Sequence, residues 1–417
     1  MYIKLPWHYL SEHDLKKIKF YKFKAGQTTT LDSLMNHFWT RLVLYLPMTL
    51  SPNLITMLGF LASTSAFISM MYATQDLVTA APQISCLVMA LGVFLHQTLD
   101  ALDGKQARRT NTSSPLGALF DHGCDIVTLT FFSISSVALL RLGLSFHSII
   151  AIAISGHLSQ FLYLWWEYHF DIFYSNPGFG AGVTEAQCSL IILALITSYL
   201  GADIWLVNCL ELLPSFVLKL SIFDYIPTYI PLNQVICSAT LFSNLLAYFR
   251  LLYIANKTLK QQKKCIAFLQ LLNFFTFTLF EIMFFYCVTK RLGTFPLPGF
   301  FLTIFVYGIL AVRLLLSATS KKSYSLIQTP SLPFVILTLL LICDYYYETW
   351  FSLVLPIQIF LRKHLYVILW IHAAAYIAYF IMFSFVVIHQ IKTYLSIDCF
   401  SIKRSNKLKH VELKNHD

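Results

Sequence analysis

At 417 residues the chain is long enough for two or three soluble domains, but 57% of it is hydrophobic and only 12% is charged, about half the usual charged share. Mean hydropathy is +0.65, and with 36 Phe, 23 Tyr and 7 Trp helix after helix would be apolar all round. Too little polar surface remains to cover a water-soluble core, which excludes a soluble globular protein and predicts a polytopic membrane protein. The net charge of +10 does not point to nucleic acid, because the basic residues fall in short clusters between apolar runs, as beside an anionic leaflet. The nine cysteines form no C-x-x-C and sit mostly inside apolar runs, so they read as small core residues, neither a disulfide framework nor a zinc site.

Residues 1–50 form a polar N-terminal segment that starts without an apolar h-region, so no cleaved signal peptide is expected. Within it Lys16, Lys17, Lys19, Lys22 and Lys24 precede Leu31, Leu34, Phe38 and Leu42 at helical spacing. That pattern, stopped by Pro47, predicts an amphipathic helix lying in the membrane interface. Ten apolar spans follow, at about 54–72, 84–99, 116–142, 147–168, 185–201, 233–255, 265–289, 298–318, 333–350 and 365–391. Each approaches the roughly 20 residues that cross a hydrocarbon core. The expected fold is therefore an all-α integral membrane protein with about ten transmembrane helices and an N-terminal interfacial helix. The Pro- and aromatic-rich stretch 203–230 reads as interfacial or re-entrant, and residues 392–417 as a basic tail. With a cytosolic N-terminus, 24 of the 30 Lys and Arg fall on the cytosolic side, which puts both ends of the chain in the cytosol. The sequons at Asn111 and Asn256 then face the cytosol and read as chance matches.

One stretch departs from the composition. It reads Asp100-Ala-Leu-Asp103-Gly104-Lys105-Gln-Ala107-Arg108, then eight residues, then Gly117-Ala-Leu-Phe-Asp121-His122-Gly-Cys-Asp125. Acidic groups at membrane depth cost about 2.5–3.5 kcal/mol each on insertion scales and mark function by default. Asp100 and Asp103 are i, i+3 and Asp121 and Asp125 are i, i+4, so each pair shares a helix face, and the chain between the pairs is long enough to turn and bring the faces together. Four clustered carboxylates need cations, and hard oxygen ligands suit two Mg²⁺ or Mn²⁺ ions. Such ions beside Lys105, Arg108 and Arg109 would receive a pyrophosphate, while Gly104, Ala107 and Gly117 would let a nucleotide approach the backbone.

The pattern D-x2-D-G-x2-A-R-x8-G-x3-D-x3-D resembles that of the CDP-alcohol phosphotransferases, and every position is filled. Ser51-Pro-Asn-Leu-Ile-Thr56, the run Gln97–Asn111, Asp121-His-Gly-Cys-Asp125 and Thr184-Glu-Ala-Gln187 are similar to the eukaryotic choline/ethanolamine phosphotransferase branch, from about Tyr9 to Gln187. The resemblance implies a Mg²⁺- or Mn²⁺-dependent enzyme of endoplasmic reticulum or Golgi membranes, commonly a homodimer. Such an enzyme moves phosphocholine or phosphoethanolamine from the CDP-alcohol to diacylglycerol and releases CMP. It further implies Asp100, Asp103, Asp121 and Asp125 as metal ligands, with Asn53, Gly104, Lys105, Ala107, Arg108 and Gly117 at the CDP site; for Asn53 the alternative is a helix N-cap. The catalytic domain would then be 51–200, with 201–391 as lipid-substrate cavity and dimer scaffold.

Other signals are weaker. Trp165, Trp166 and Glu167 offer an aromatic box for an ammonium headgroup, against an interfacial aromatic belt. Relatives carry a Gly soon after this element, whereas here none follows before Gly178, so choline and ethanolamine both stay open. Glu185 is a second ammonium candidate, against a helix first-turn acid. Gly178-Phe-Gly180-Ala-Gly182 has no preceding strand and reads as an interspan loop. Glu281 and Asp344 are further intramembrane acids. For the base that takes the acceptor proton, Asp125 follows the wider family by analogy. A carboxylate already bound to a divalent ion is a poor proton acceptor, so His122, a residue type whose reference pKa is about 6.5, is preferred, assisted by Asp125. The alternatives are an ethanolamine-specific enzyme or a phosphatidylinositol-type synthase and, from another class, a polytopic ion transporter whose acids would spread through several spans rather than cluster at one boundary.

Overall fold

The computed structural model describes residues 8–26, 28–174, 182–214, 227–293, 296–346 and 355–402. Two N-terminal helices, α1 (Glu12–Lys19) and α2 (Thr30–Leu42), precede ten helices long and apolar enough to cross a membrane. These are α3 (Pro52–Ala73), α4 (Gln83–Arg109), α5 (Pro115–Leu139), α6 (Phe146–Phe170), α7 (Val183–Leu200), α8 (Leu232–Thr258), α9 (Gln261–Leu292), α10 (Leu297–Ser320), α11 (Leu332–Tyr346) and α12 (Leu355–Leu395). The fold is all-α, polytopic and membrane-spanning, and the described residues contain no strand. Each span expected from hydropathy has its helix. The largest differences are in α12, which starts at Leu355 instead of 365, and in α4, which runs on to Arg109 instead of stopping at 99, so Asp100 and Asp103 lie within a continuous helix. All nine cysteines are free.

The amphipathic segment is a helix, as its period demands. Thr29 and Asp32 close a capping box, with Thr29 Oγ1 accepting from the Asp32 N–H at 2.9 Å and Asp32 Oδ2 from the Thr29 N–H at 2.8 Å. α2 buries Trp39 and leaves Leu34 and Phe38 exposed. Within 203–230, two 3₁₀ turns (Ala202–Leu206 and Cys209–Leu212) replace a regular helix. Residues 215–226, which include Lys219, lie outside the described residues, as do Gly178, Gly180 and residues 403–417 of the basic tail.

The two ends of the described chain meet, and side chains tie them together. Gln390 Oε1, near the end of α12, accepts from the Tyr9 and Leu10 N–H groups at 3.0 and 3.1 Å. Lys322, after α10, pairs with Asp14 of α1 at 3.3 Å, and Lys321 pairs with Asp171 after α6. α3, α4 and α5 pack on one another, α7 rests on α4, and α10 bridges α5, α6 and α12. One contiguous hydrophobic core runs through both halves of the membrane domain.

Candidate active site

The α4–α5 connection is built to turn tightly. α4 ends with Asn111 in the left-handed region (φ +54°) and the Thr112 N–H on the Ala107 carbonyl at 2.9 Å, a Schellman-type stop. α5 restarts at once: Ser114 Oγ accepts from the Gly117 N–H at 3.1 Å, and Pro115 takes the first helical position. The acidic pairs thereby converge. One ligand atom from each of Asp100, Asp103 and Asp121 lies within 4.8 Å of the others, and so does a set from Asp121, His122 and Asp125.

These residues line a cavity of ≈ 440 Å³ walled by α3, α4, α5, α6 and the start of α7, with Phe23, Ala25, Trp39 and Phe173 at its sides. The N-terminal segment closes one flank, where the Gly26 N–H donates to the Phe173 carbonyl at 2.7 Å and the Phe173 N–H to that of Lys24 at 2.9 Å. Asn53 lines the cavity, and the N-cap of α3 is Ser51. A Cβ added to Gly117 would stand 3.4 Å from Asn53 Oδ1, and one on Gly104 would stand 3.5 Å from the Arg108 guanidinium. Bare backbone at these points keeps the wall open toward the acids.

The donor set fits divalent cations. Among the described residues the only ion-pair partner of the four acids is His96, with Nε2 3.7 Å from Asp125 Oδ1. Asp103 accepts from the Thr56 hydroxyl, while Asp121 Oδ1 is buried with no hydrogen-bond partner. A buried, unpartnered carboxylate oxygen among three other carboxylates is costly as it stands and chemically suited to a hard metal. The four aspartates could therefore hold a metal ion.

Arg108, Ala107, Gly104, Gly117, Asn53 and His122 line the cavity with them. Lys105 does not: its ammonium donates to Asn36 and Thr40 of α2. Arg109, one turn on, donates to the carbonyls of Val43 and Leu46 at 2.9 and 2.7 Å. The i, i+4 pair 105/109 faces the interfacial helix, opposite the face of Asp103 and Ala107. Lys105, expected at the nucleotide, thus stands outside the cavity lining, and so do Trp165 and Trp166, expected at the headgroup. Trp165 is buried against His169 (4.8 Å between centroids), and Trp166 stacks on Phe170 and Tyr174; neither lines the cavity. The cavity-facing stripe of α6 is Gln160, Tyr163 and Leu164. Glu167, one turn beyond Tyr163, does not line the cavity; it accepts from the Tyr21 hydroxyl at 2.5 Å, with its other oxygen buried and unpartnered. Burial and the Glu167 carboxylate hold the Tyr21 phenol above its ordinary range, so it remains a donor. Glu185 does not line the cavity, although its neighbours Val183, Thr184 and Gln187 do, and its Oε2 is buried without a partner.

His122 is buried, with its ring centroid 5.2 Å from Phe23 and 4.7 Å from Phe173. It does not turn away from the acids but joins Asp121 and Asp125. Sequence reasoning missed His96, Thr56 and Gln160. His96 precedes Asp100 by one helical turn and was findable on that spacing. Gln160, which donates to the Asp125 carbonyl at 3.0 Å, carries no sequence signal.

Residues 49–218 match the family model for CDP-alcohol phosphatidyltransferase. The chain carries a CDP-alcohol phosphotransferase domain. It is 27% identical over 418 residues to a Dictyostelium discoideum protein described as uncharacterized CDP-alcohol phosphatidyltransferase class-I family protein 3, covering 95% of this chain and 99% of that one. It is 35% identical to cholinephosphotransferase 1 of Xenopus laevis over 206 residues, and 33% identical to that of Rattus norvegicus over 198. These two matches cover 49% and 47% of this chain, and only 50% and 48% of the relatives. The chain thus aligns with about half the length of each cholinephosphotransferase.

Proposed function

We propose that the protein transfers the phosphoalcohol of CDP-choline or CDP-ethanolamine to diacylglycerol, forming phosphatidylcholine or phosphatidylethanolamine and releasing CMP. The observation that carries this reading is the convergence of Asp100, Asp103, Asp121 and Asp125 in a cavity that also holds Arg108, Asn53 and two bare glycine faces. A second cavity, of ≈ 170 Å³, supports the lipid acceptor. It lies against Gly123 and Cys124 of α5 and is lined by Met57, Phe60, Leu119, Phe380 and Val387 among others, almost all apolar. Acyl chains placed there would bring a glycerol hydroxyl alongside the acids from the bilayer side, while the nucleotide enters from the face where the chain ends meet.

Asp100, Asp103, Asp121 and Asp125 would hold two Mg²⁺ or Mn²⁺ ions, which when bound supply positive charge to a pyrophosphate and to the departing CMP. Arg108 would bind a phosphate oxygen, and Gly104, Ala107, Gly117 and Asn53 would admit the nucleotide. His122 Nδ1 or Nε2 would accept the proton of the diacylglycerol hydroxyl as that oxygen bonds to the phosphorus bearing the alcohol. The bond from that phosphorus to the bridging oxygen breaks, and CMP leaves with the oxygen. The rings of Phe23 and Phe173 would keep water from His122. Glu167, oriented by Tyr21, would attract the ammonium headgroup. The protein would act in endoplasmic reticulum or Golgi membranes with both ends cytosolic, residues 51–200 forming the catalytic domain and 201–391 the acyl cavity and homodimer scaffold. The deciding assay uses purified protein in liposomes containing diacylglycerol, measuring CMP release from CDP-choline and from CDP-ethanolamine with Mg²⁺ or Mn²⁺. Absence of CMP with either donor overturns the reading, and release with CDP-ethanolamine alone narrows it to the ethanolamine-specific form.

A further inference from the structure

α6 is not a regular helix. Residues Ile152–Leu158 form a π-helical segment, and α8, α9 and Tyr307 of α10 pack against it. The Ile154 carbonyl accepts from Ser159 Oγ at 3.1 Å and from the Tyr248 hydroxyl of α8 at 2.8 Å. Ser155 Oγ accepts from Asn244 Nδ2 of α8 at 2.9 Å. Gly156 lets α5 approach, since a Cβ there would stand 3.1 Å from Ser133 Oγ. In the middle of the segment, His157 Nδ1 lies 2.8 Å from Glu281 Oε1 of α9, the two side chains being 2% and 0% exposed. The alignment falls short of a hydrogen bond, His157 Nε2 has no hydrogen-bond partner, and the Tyr307 hydroxyl stands beside the Glu281 carboxyl. The His157 ring stacks on Tyr307 of α10 at 4.0 Å and 14°.

Burying a carboxylate in this way costs several kcal/mol that pairing only partly offsets, so stability does not account for it. Geometry does. A π segment inserts residues relative to an α-helix, and each inserted residue rotates everything beyond it by about 100°. Just beyond it, Gln160 donates to the Asp125 carbonyl and Tyr163 and Leu164 face the cavity. We propose that Glu281 and His157 lock the register of α6: the second half of the protein holds the π segment, and the π segment aims Gln160 and Tyr163 at the acidic site. Glu281 is then a positioning residue for the reaction, an assignment that rests on the reading of the Asp125 cavity as the active site.

The test uses full-length Glu281→Leu and Glu281→Gln, with His157→Phe carrying the same readouts should Glu281→Leu fail to fold. Cryo-electron microscopy of the leucine variant is expected to show residues 152–158 as regular α-helix with Gln160 withdrawn from Asp125. An unchanged π segment overturns the lock whatever the activity. In turnover, kcat per folded molecule should fall about 10–100-fold, the cost of an ångström-scale misplacement, with KM for the CDP-alcohol moving less than about threefold, and Glu281→Gln should restore part of the rate. A lower melting temperature with unaltered kcat also overturns the proposal, assigning the pair to stability. If the wild-type protein releases no CMP, the functional reading fails while the structural arm still judges the lock.

Discussion

The two halves of the membrane domain treat buried acids in opposite ways. In α8–α12 each has a basic side chain of its own: Glu281 faces His157 at 2.8 Å without an aligned hydrogen bond, and Asp344 receives Arg291 and Arg362 at 2.7 and 2.6 Å. In α3–α5 four acids share one cavity, and their only ion-pair partner among the described residues is His96, 3.7 Å from Asp125. Matched acids fix helices against each other, whereas unmatched ones demand a ligand. The family-model match, residues 49–218, covers the half with the unmatched set, although the described core runs through both halves.

The largest effect that would break this contrast is on turnover. Asp103→Asn and Asp121→Asn should each lower the rate of CMP release by at least about 10³-fold with unchanged size-exclusion behaviour, and near-normal rates at saturating Mg²⁺ would sink the cation reading. His122→Gln should lower kcat about 10²–10⁴-fold, keep nucleotide affinity and lose the acidic limb of the pH–rate profile, since a base works only once deprotonated. If the rate and the limb both survive, Asp125 takes the proton. Trp165→Ala sharpens the comparison from the packing side. It should cost stability by about 3–5 kcal/mol in denaturant or thermal unfolding, while the CDP-choline to CDP-ethanolamine rate ratio stays constant. A selective loss of CDP-choline use would return Trp165 to the headgroup.

The smallest effect is at the membrane surface. Burial pushes the Asp14 carboxyl up, but bonds from the Ser11 N–H and hydroxyl and the nearby Lys322 ammonium outweigh it and hold the group below its usual range. A depressed carboxylate stabilises the fold above its unfolded pKa and loses that contribution as pH falls through the folded value. Asp14→Asn should therefore cost about 1 kcal/mol near neutrality, and its melting temperature should meet that of the wild type below about pH 4.

Hydropathy located all ten spans because each apolar run is long. It cut α4 short because Asp100, Asp103, Lys105, Arg108 and Arg109 lower the average without stopping the helix. The acidic motif was legible as spacing. The directions of Lys105 and Arg109 were legible too, since their i, i+4 relation sets them off the face of Asp103 and Ala107. Two things were hidden. The side chains of 165–167 could not be aimed, because the π segment ahead of them shifts the register and leaves no mark in composition. Gln160 acts on Asp125, 35 residues earlier, and Glu281 on His157 in another helix more than a hundred residues earlier, pairings that only the packed structure brings together.

Gln390 gives the order of assembly a particular shape. The backbone of Tyr9 and Leu10 rests on its side chain, and the segment that follows them supplies Phe23 and Ala25 to the cavity wall. During synthesis at the ribosome the contacts of that wall become available in stages: Glu167 and Phe173 come with the end of α6, Lys322 follows α10, and Gln390 comes last, more than two hundred residues after the acidic motif. The last membrane helix therefore adds the final tie to a flank already held at Tyr21 and Gly26.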